Sequence, residues 1–177
     1  MVIGIDISQL AYENTGVANY LENLVQNLIV SDKTNQYILF FSSLRKDLKL
    51  KIKDLRTYPN VTIKQFRIPP TLLDILWNRL HIVPIENLIG DVDVFITSDW
   101  TEPPTKKAKK VTILYDLVVY KYPKETDKKI VRVQKTKLNW VKKESDMVFC
   151  ISKSTAKDAK EILGISENKL SVIYPGI

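Results

Sequence analysis

The sequence predicts an α/β protein, a three-layer α/β/α sandwich built on a mainly parallel sheet of six or seven strands. Short apolar, β-branched runs alternate along the chain with segments of helical periodicity, and this alternation is typical of β-α-β units. Several runs are apolar at every position, as expected of strands that helices cover on both faces. The 177 residues are enough for one such domain with a buried core.

The first β-α unit begins with the apolar run Val2–Ile7, which carries Asp6 near its end. A polar stretch over residues 8–14 leads into a helical pattern with apolar residues at i, i+3, i+4, i+7 and i+11. The stripe consists of Val17, Tyr20, Leu21, Leu24 and Leu28. Asn14 or Thr15 is the expected N-cap, because either side chain can accept a hydrogen bond from a free backbone N–H.

The next segments repeat the pattern less regularly. Strands are predicted at Gln36–Phe41 and Val61–Phe66, with a lysine-rich helix over residues 44–55 between them. The pair Pro69-Pro70 predicts an extended turn, since proline lacks an N–H donor and restricts the residue before it. A helix from about Thr71 to His81 is expected to follow.

The second half of the chain continues the alternation. Strands are predicted at Val92–Thr97, Val111–Asp116, Met147–Ile151 and Leu170–Tyr174. Helices are predicted at Pro84–Ile89, at Lys128–Glu144, and from a cap at Ser154 or Thr155 to Gly164, which is expected to end its helix in the left-handed conformation.

Composition excludes several classes of protein. A single cysteine, Cys150, cannot build a disulfide framework, and with the single histidine, His81, it argues against a Cys/His zinc site. We expect His81 to be a helix-end residue rather than a base or a ligand. No run approaches the roughly 20 apolar residues of a membrane span, and the N-terminal residues do not resemble a signal peptide. The chain is therefore expected to be cytoplasmic.

The formal net charge is +7, from 27 basic and 20 acidic residues, and it favours anionic partners. Much of the excess lies in residues 106–110 and 124–143. This stretch is either an ordinary solvated surface or a surface that attracts an anionic membrane. Nucleic acid is not expected as a partner, because no recognition motif accompanies the charge.

Ligands of open parallel sheets bind outside the carboxyl ends of the strands, so a site is expected in the loops after Ile7, Thr97, Asp116 and Ile151. The chain contains neither G-x-G-x-x-G nor G-x-x-x-x-G-K-[ST]. Dinucleotide-binding Rossmann domains and P-loop NTPases bind phosphate through those loops, so both classes are disfavoured.

Four places in these loops are candidates, each with a structural alternative. Thr15-Gly16 opens a helix whose free N–H groups attract anions, although Gly16 can be a simple helix-start glycine. Asp116 can bind hydroxyl groups of a substrate or be a turn residue. Trp100 can stack on a sugar or base or pack beneath its loop. Ser152 can bind an anion but is expected to be a helix cap.

Together these segments resemble the N-terminal domain of family 4 glycosyltransferases, a large group with the GT-B fold. The resemblance covers almost the whole chain and rests on the order and spacing of short pieces. They are Ile3–Asp6, Asn14–Tyr20, Asp91–Phe95 with Pro103-Pro104, Val111–Leu117 with Tyr122-Pro123, Ile151–Ser154 with Ala156–Gly164, and Ile173–Ile177.

The resemblance implies a Rossmann-like domain that forms the N-terminal half of the GT-B fold and faces a second domain across a cleft. Residues 1–177 would be the single acceptor-side domain, without the C-terminal domain that holds a UDP- or GDP-sugar. It implies transfer to a glycan or lipid-linked acceptor with retention of configuration, without a metal or other cofactor. We therefore expect this chain alone to be inactive, and a lipid-linked acceptor would suit a peripheral position on the inner face of the membrane.

The resemblance also assigns roles to residues. It makes Asp116 and Tyr115 the catalytic positions, and the substrate-binding residues would be Asn14, Thr15, Gly16, Trp100 and Ser152. Two positions depart from the family: Tyr115 stands where a histidine is usual, and Ala18 where a second glycine is common. A tyrosine can donate a hydrogen bond, but with a pKa of about 10 it is a poor proton acceptor. The alternative is a non-catalytic module that binds an acceptor, an anionic lipid or a partner protein.

Overall fold

The computed structural model describes residues 1–48 and 52–175. It contains one sheet of seven strands, all parallel, in the order β3-β2-β1-β4-β5-β6-β7. The strands are β1 (Val2–Asp6), β2 (Gln36–Ser42), β3 (Val61–Phe66), β4 (Val94–Thr97), β5 (Lys109–Leu114), β6 (Met147–Cys150) and β7 (Leu170–Val172). The predicted α/β fold and parallel sheet are confirmed.

Helices lie on both faces of the sheet. They are α1 (Gly16–Ser31), α2 (Pro70–Leu73), α3 (Glu86–Ile89), α4 (Val118–Lys121), α5 (Lys128–Glu144) and α6 (Lys153–Leu163). A π-helical turn, Asp74–Arg79, continues α2, and 3₁₀ helices cover Ser8–Ala11, Ile52–Thr57 and Glu167–Lys169.

The chain reverses its direction across the sheet once. It runs from β1 outward to β2 and β3, then returns to β4 beside β1 and continues to β7. Because crossovers between parallel strands are right-handed, the two directions place their helices on opposite faces. The switch point, where ligands of such sheets bind, therefore lies between the carboxyl ends of β1 and β4.

The buried residues form a core on each face. One core joins α1 to the central strands through residues such as Leu21, Val25 and Leu39. On the other face, Trp77 and Phe95 pack under the α2 and α3 region, and a further cluster joins α5 and α6 to β5 and β6. In β1, a Cβ at Gly4 would lie 2.7 Å from the ring of Phe95, so glycine is needed for this approach.

Helix α1 is rotated slightly from its predicted orientation. Its fully buried line consists of Ala18, Leu21, Val25 and Ile29, whereas Val17, Tyr20, Leu24 and Leu28 are half-buried beside it. The Tyr20 hydroxyl donates to the carbonyl of Ile173 at 3.2 Å, and its ring packs edge-on against Tyr115. Leu21 of the predicted stripe therefore lies on the buried line, the other four residues flank it, and Tyr20 contacts the residues that follow β5 and β7.

The helix predicted over residues 44–55 is wrong where the structure describes it. Residues 44–48 form bends and irregular backbone, residues 49–51 lie outside the described part, and a 3₁₀ helix begins at Ile52. The Ser43 hydroxyl accepts from the N–H of Lys46, and the Lys46 ammonium donates to the carbonyl of Ala11. Such side-chain bonds compete with helical hydrogen bonding.

Two further predictions about helices need correction. The helix expected from Thr71 to His81 changes at Asp74 into the π-helical turn, which seats the buried Trp77 with its indole N–H on the carbonyl of Val83. The last long helix is capped by Ser152 rather than by Ser154 or Thr155. Its end agrees with the prediction, since Gly164 adopts a left-handed φ of +67°.

Candidate functional site

Three neighbouring cavities lie along the carboxyl edge of the sheet. The α1 cavity, of about 660 Å³, lies between Gly16, Tyr20, Asp116 and the segment 173–175. The central cavity, of about 250 Å³, lies between Trp100, Asp116, Gln134 and Lys137. The switch-point cavity, of about 270 Å³, lies between Tyr12, Asp74, Arg79, Trp100 and Ile130. Tyr115 and Asp116 border the first two, and Trp100 and Ile130 border the last two, so the cavities adjoin.

Gly16 and Asp116 face the same cavity. Gly16 is the first residue of α1, and a methyl group added there would meet nothing within 4 Å, so packing does not require glycine. Asp116 is exposed after β5, and its Oδ1 accepts from the N–H of Val118 at 3.0 Å. Among the described residues, its Oδ2 has no hydrogen-bond partner. The structure thus brings together two residues that the sequence predicted to share a site.

Tyr115 points its hydroxyl away from solvent. The residue is buried, its hydroxyl lies 3.1 Å from the Ser98 hydroxyl, and its ring centroid is 5.6 Å from that of Tyr20. Burial raises the pKa of the Tyr115 phenol above its ordinary value, although its hydrogen bond with Ser98 acts in the opposite direction. Tyr115 is therefore a neutral phenol near neutral pH and cannot act as a general base there.

Trp100 forms part of the walls of two cavities. It is half-buried in the loop after β4, and that loop is held by Asn78. The Asn78 amide donates to the carbonyl of Trp100 at 2.9 Å and accepts from the N–H of Glu102 at 3.0 Å. The sequence left two interpretations of Trp100 open, a stacking surface or packing beneath its loop. Its position in the wall of two cavities agrees better with the first.

The three other predicted binding residues lie outside the linings of these cavities. Thr15 caps α1 by accepting from the N–H of Ala18 at 3.2 Å. Ser152 caps α6 by accepting from the N–H of Thr155 at 3.0 Å. Asn14 is exposed with a left-handed φ of +65° in the turn before α1. The structure therefore shows helix-capping roles for Thr15 and Ser152.

Comparison with known proteins identifies the family. No curated protein matches the chain. The family model described as Glycosyltransferase Family 4 matches residues 14–177, which is most of the chain. This chain belongs to glycosyltransferase family 4. The match includes the three residues that border both the α1 cavity and the central cavity, which are Val17, Tyr115 and Asp116.

This family 4 domain contains a buried lysine that the sequence pattern did not predict to be part of the site. Lys137, on α5, is 2 % exposed, and its ammonium donates to the carbonyl of Ser98. Burial lowers the pKa of Lys137, while the negative charges of Glu102, Asp99 and Asp6 act in the opposite direction. The sequence contains a signal for this burial. Val133, Lys137 and Val141 are spaced i, i+4 and i+8, so Lys137 lies on the apolar stripe of α5.

The carboxylates around Lys137 come from the ends of two strands. Burial raises the pKa values of Asp6, which ends β1, and of Asp99, which follows β4. Asp6 accepts from the N–H of Ser8, and Asp99 accepts from the amide of Gln134 at 3.1 Å. The carboxyl ends of β1 and β4 are thus linked to α5 by a buried group of ionisable side chains.

A second buried network connects α5 to the π-helical turn. Glu144 accepts from the Lys110 ammonium at 2.8 Å and lies 2.9 Å from Nε2 of His81. Nδ1 of His81 lies 2.7 Å from the carbonyl oxygen of Trp77, so each ring nitrogen lies next to an oxygen atom. Burial alone would raise the pKa of Glu144, but the bonds from Lys110 and His81 lower it. His81 is the helix-end residue that the sequence predicted.

Within residues 1–48 and 52–175, no three His, Cys, Asp or Glu side chains are grouped so that they could hold a metal ion. No helix in the same ranges has both the length and the apolar character needed to cross a bilayer.

Proposed function

We propose that this family 4 domain binds the acceptor in a retaining glycosyltransferase, which moves a sugar from a UDP- or GDP-sugar to a glycan or lipid-linked acceptor. One observation carries the proposal. The free carboxylate oxygen of Asp116 and the N-terminus of α1 at Gly16 border the same cavity at the carboxyl edge of the sheet. Ligands of open α/β sheets bind at this edge.

The groups at this edge suit a sugar. The Asp116 carboxylate accepts hydrogen bonds from hydroxyl groups. The N–H groups of Gly16 and Val17 begin α1 and have no acceptor within the helix, so they can donate to a hydroxyl or to an anionic group. Trp100 adds an aromatic surface next to Asp116 in the central cavity. An aromatic face with a few fixed polar groups is typical of small-molecule sites.

The proposal divides the reaction between two domains, without a metal or other cofactor. Transfer requires the anomeric carbon of the donor to be held about 3 to 3.5 Å from the acceptor oxygen. Residues such as Asp116 supply contacts for the acceptor and the transferred sugar, and the second domain implied by the family supplies most contacts for the nucleotide. In this proposal residues 1–177 supply one side of the cleft.

Acceptor binding is tested by saturation-transfer NMR with a panel of simple saccharides. Asp116→Ala should weaken saccharide binding by about ten-fold, which corresponds to about 1.4 kcal/mol. Asp91→Ala, which removes an exposed carboxylate outside the three cavities, is the matched control and should bind as the wild type does. Equal binding by the wild type and Asp116→Ala would contradict the proposal.

Donor binding is tested on the same chain. Calorimetric titration with UDP- and GDP-sugars should show weak binding or none, and a radiolabelled transfer assay should show no turnover. Tight donor binding or turnover by residues 1–177 would contradict the assignment of the donor to another domain.

The alternative function is a non-catalytic binding module for an acceptor, an anionic lipid or a partner protein. The buried phenol of Tyr115 supports it, since this group cannot take a proton near neutral pH. The lipid-binding form of this alternative differs from the acceptor domain in what it binds. Saccharide binding that depends on Asp116 supports the acceptor domain, whereas binding of acidic lipid without any saccharide binding supports the lipid module.

A further inference from the structure

The switch-point cavity lies between the loop that follows β1 and the loop that follows β4. Tyr12 comes from the loop after β1, and Trp100 from the loop after β4. The cavity shares Trp100 and Ile130 with the central cavity, which in turn borders Asp116. A ligand that extends from Asp116 past Trp100 therefore enters the switch-point cavity.

The walls of this cavity combine aromatic and aliphatic side chains with polar ones, among them Asp74, Arg79 and Lys129. Tyr12 is 43 % exposed and Ile130 is 38 % exposed, and both line it together with Trp100, Pro70 and Val133. Large apolar side chains that border a cavity and remain in contact with water offer a surface for an apolar ligand face. The C–H face of a pyranose ring is such a face, and aromatic rings are suited to pack against it.

One charged pair lies in the same wall. Oδ2 of Asp74 accepts from Nε and Nη2 of Arg79 at 2.9 and 2.8 Å, and Oδ1 accepts from the amide of Asn78 at 3.0 Å. The Arg79 side chain is 47 % exposed and keeps further N–H donors that this bond does not use. The pair is therefore fixed in position and still has donors for ligand hydroxyl groups.

Asn78 connects this pair to the Trp100 loop. Its amide donates to Asp74 and to the carbonyl of Trp100, and its oxygen accepts from Glu102. Asn78 is 1 % exposed, so these bonds are protected from water. The polar pair and the aromatic wall are consequently held together before any ligand arrives, which lowers the entropic cost of binding.

We propose that the switch-point cavity is a second sugar subsite, which holds the unit of a glycan acceptor next to the one at Asp116. The inference rests on the proposed acceptor-binding function and specifies its substrate class: an acceptor of at least two sugar units. A second ring packs on Tyr12 and Trp100, and its hydroxyl groups accept from Arg79.

The test compares chain length in the ligand. Saturation-transfer NMR measures the affinity of this chain for neutral monosaccharides and for disaccharides built from the same units. The wild type should bind the preferred disaccharide about ten-fold more tightly than its monosaccharide. Tyr12→Ala should reduce this ratio to about two-fold and leave monosaccharide binding unchanged, because the residue is exposed and borders only the switch-point cavity among the three.

Tyr122→Ala is the matched control, since Tyr122 is 51 % exposed and borders none of the three cavities. It should keep the wild-type ratio. A wild-type ratio near one, or a ratio that Tyr12→Ala leaves unchanged, would overturn the subsite while monosaccharide binding still supports the acceptor domain. Failure of the folded chain to bind any saccharide would overturn both.

Discussion

Lys137 connects α5 to the carboxyl ends of β1 and β4. Its ammonium is buried against the Ser98 carbonyl, and the nearby acidic groups are Asp6, Asp99 and Glu102. Removing one partner of a buried charge cluster leaves the others without compensation, which costs more than the intact cluster contributes. Lys137 is therefore a residue on which the shape of the central cavity depends.

Lys137→Met should lower the free energy of unfolding by about 3 kcal/mol, because the buried Ser98 carbonyl loses its donor and the nearby acidic side chains lose the amino group that faces them. Urea denaturation at pH 7 measures this. Lys128→Met, on an exposed position of the same helix, should change stability by no more than about 0.5 kcal/mol. If Lys137→Met lowered the free energy of unfolding by less than about 1 kcal/mol, the buried cluster would not depend on the Lys137 amino group for its stability.

At the scale of elements, the connection between β4 and β5 contains no helix and is held by side chains from its neighbours. Gln134 and Asn78 hold its first part, as described above. Near its end, Oε1 of Glu86 accepts from the N–H groups of Lys106, Lys107 and Ala108 at 2.8, 3.1 and 3.2 Å. Burial alone would raise the pKa of Glu86, but these backbone bonds lower it.

Glu86→Ala should destabilise the fold by about 3 kcal/mol, because three backbone N–H groups lose a charged acceptor. Glu86→Gln keeps an acceptor oxygen and should cost less than half as much. Urea denaturation measures both. The control Glu161→Ala removes an exposed carboxylate whose Lys157 partner is 3.9 Å away, and it should have an effect below about 0.5 kcal/mol. Equal losses for the Ala and Gln variants would contradict this account.

At the scale of the whole molecule, not all basic residues that the sequence groups together are free on the surface. Lys110 and Lys137 are buried, Lys109 pairs with Asp146, and Lys121 pairs with Asp158. Other lysines of the stretch remain exposed, among them Lys106, Lys107, Lys124, Lys128, Lys142 and Lys143. The membrane hypothesis therefore depends on this smaller set.

Vesicle sedimentation tests that hypothesis. Binding should require acidic lipid and weaken with salt, since each lysine near such a surface contributes about 1 kcal/mol and is screened by ions. The double variant Lys106→Glu/Lys107→Glu should reduce binding. The matched control Lys64→Glu/Arg67→Glu, in and just after the edge strand β3, should not. Equal binding to neutral vesicles, or none to acidic ones, would refute membrane attraction.

The sequence alone determined the class of fold and most of its elements. The bounds of α5 agree with the prediction, Lys128–Glu144, and β3 agrees at Val61–Phe66. These elements are set by local periodicity and caps, such as the Asp127 carboxylate that accepts from the N–H groups of Lys129 and Ile130. Residues near in sequence suffice for such signals, so the pattern can be read without the fold.

Only the tertiary structure decided which polar residues border the cavities. A hydroxyl at a helix start can cap the helix or bind a ligand, and the residue type is the same for both, so Thr15 and Ser152 could be assigned only from their contacts. The burial of Lys137 depends on how α5 crosses the ends of β1 and β4, and the π-helical turn depends on packing around Trp77. These are contacts between residues distant in sequence, which local patterns do not specify.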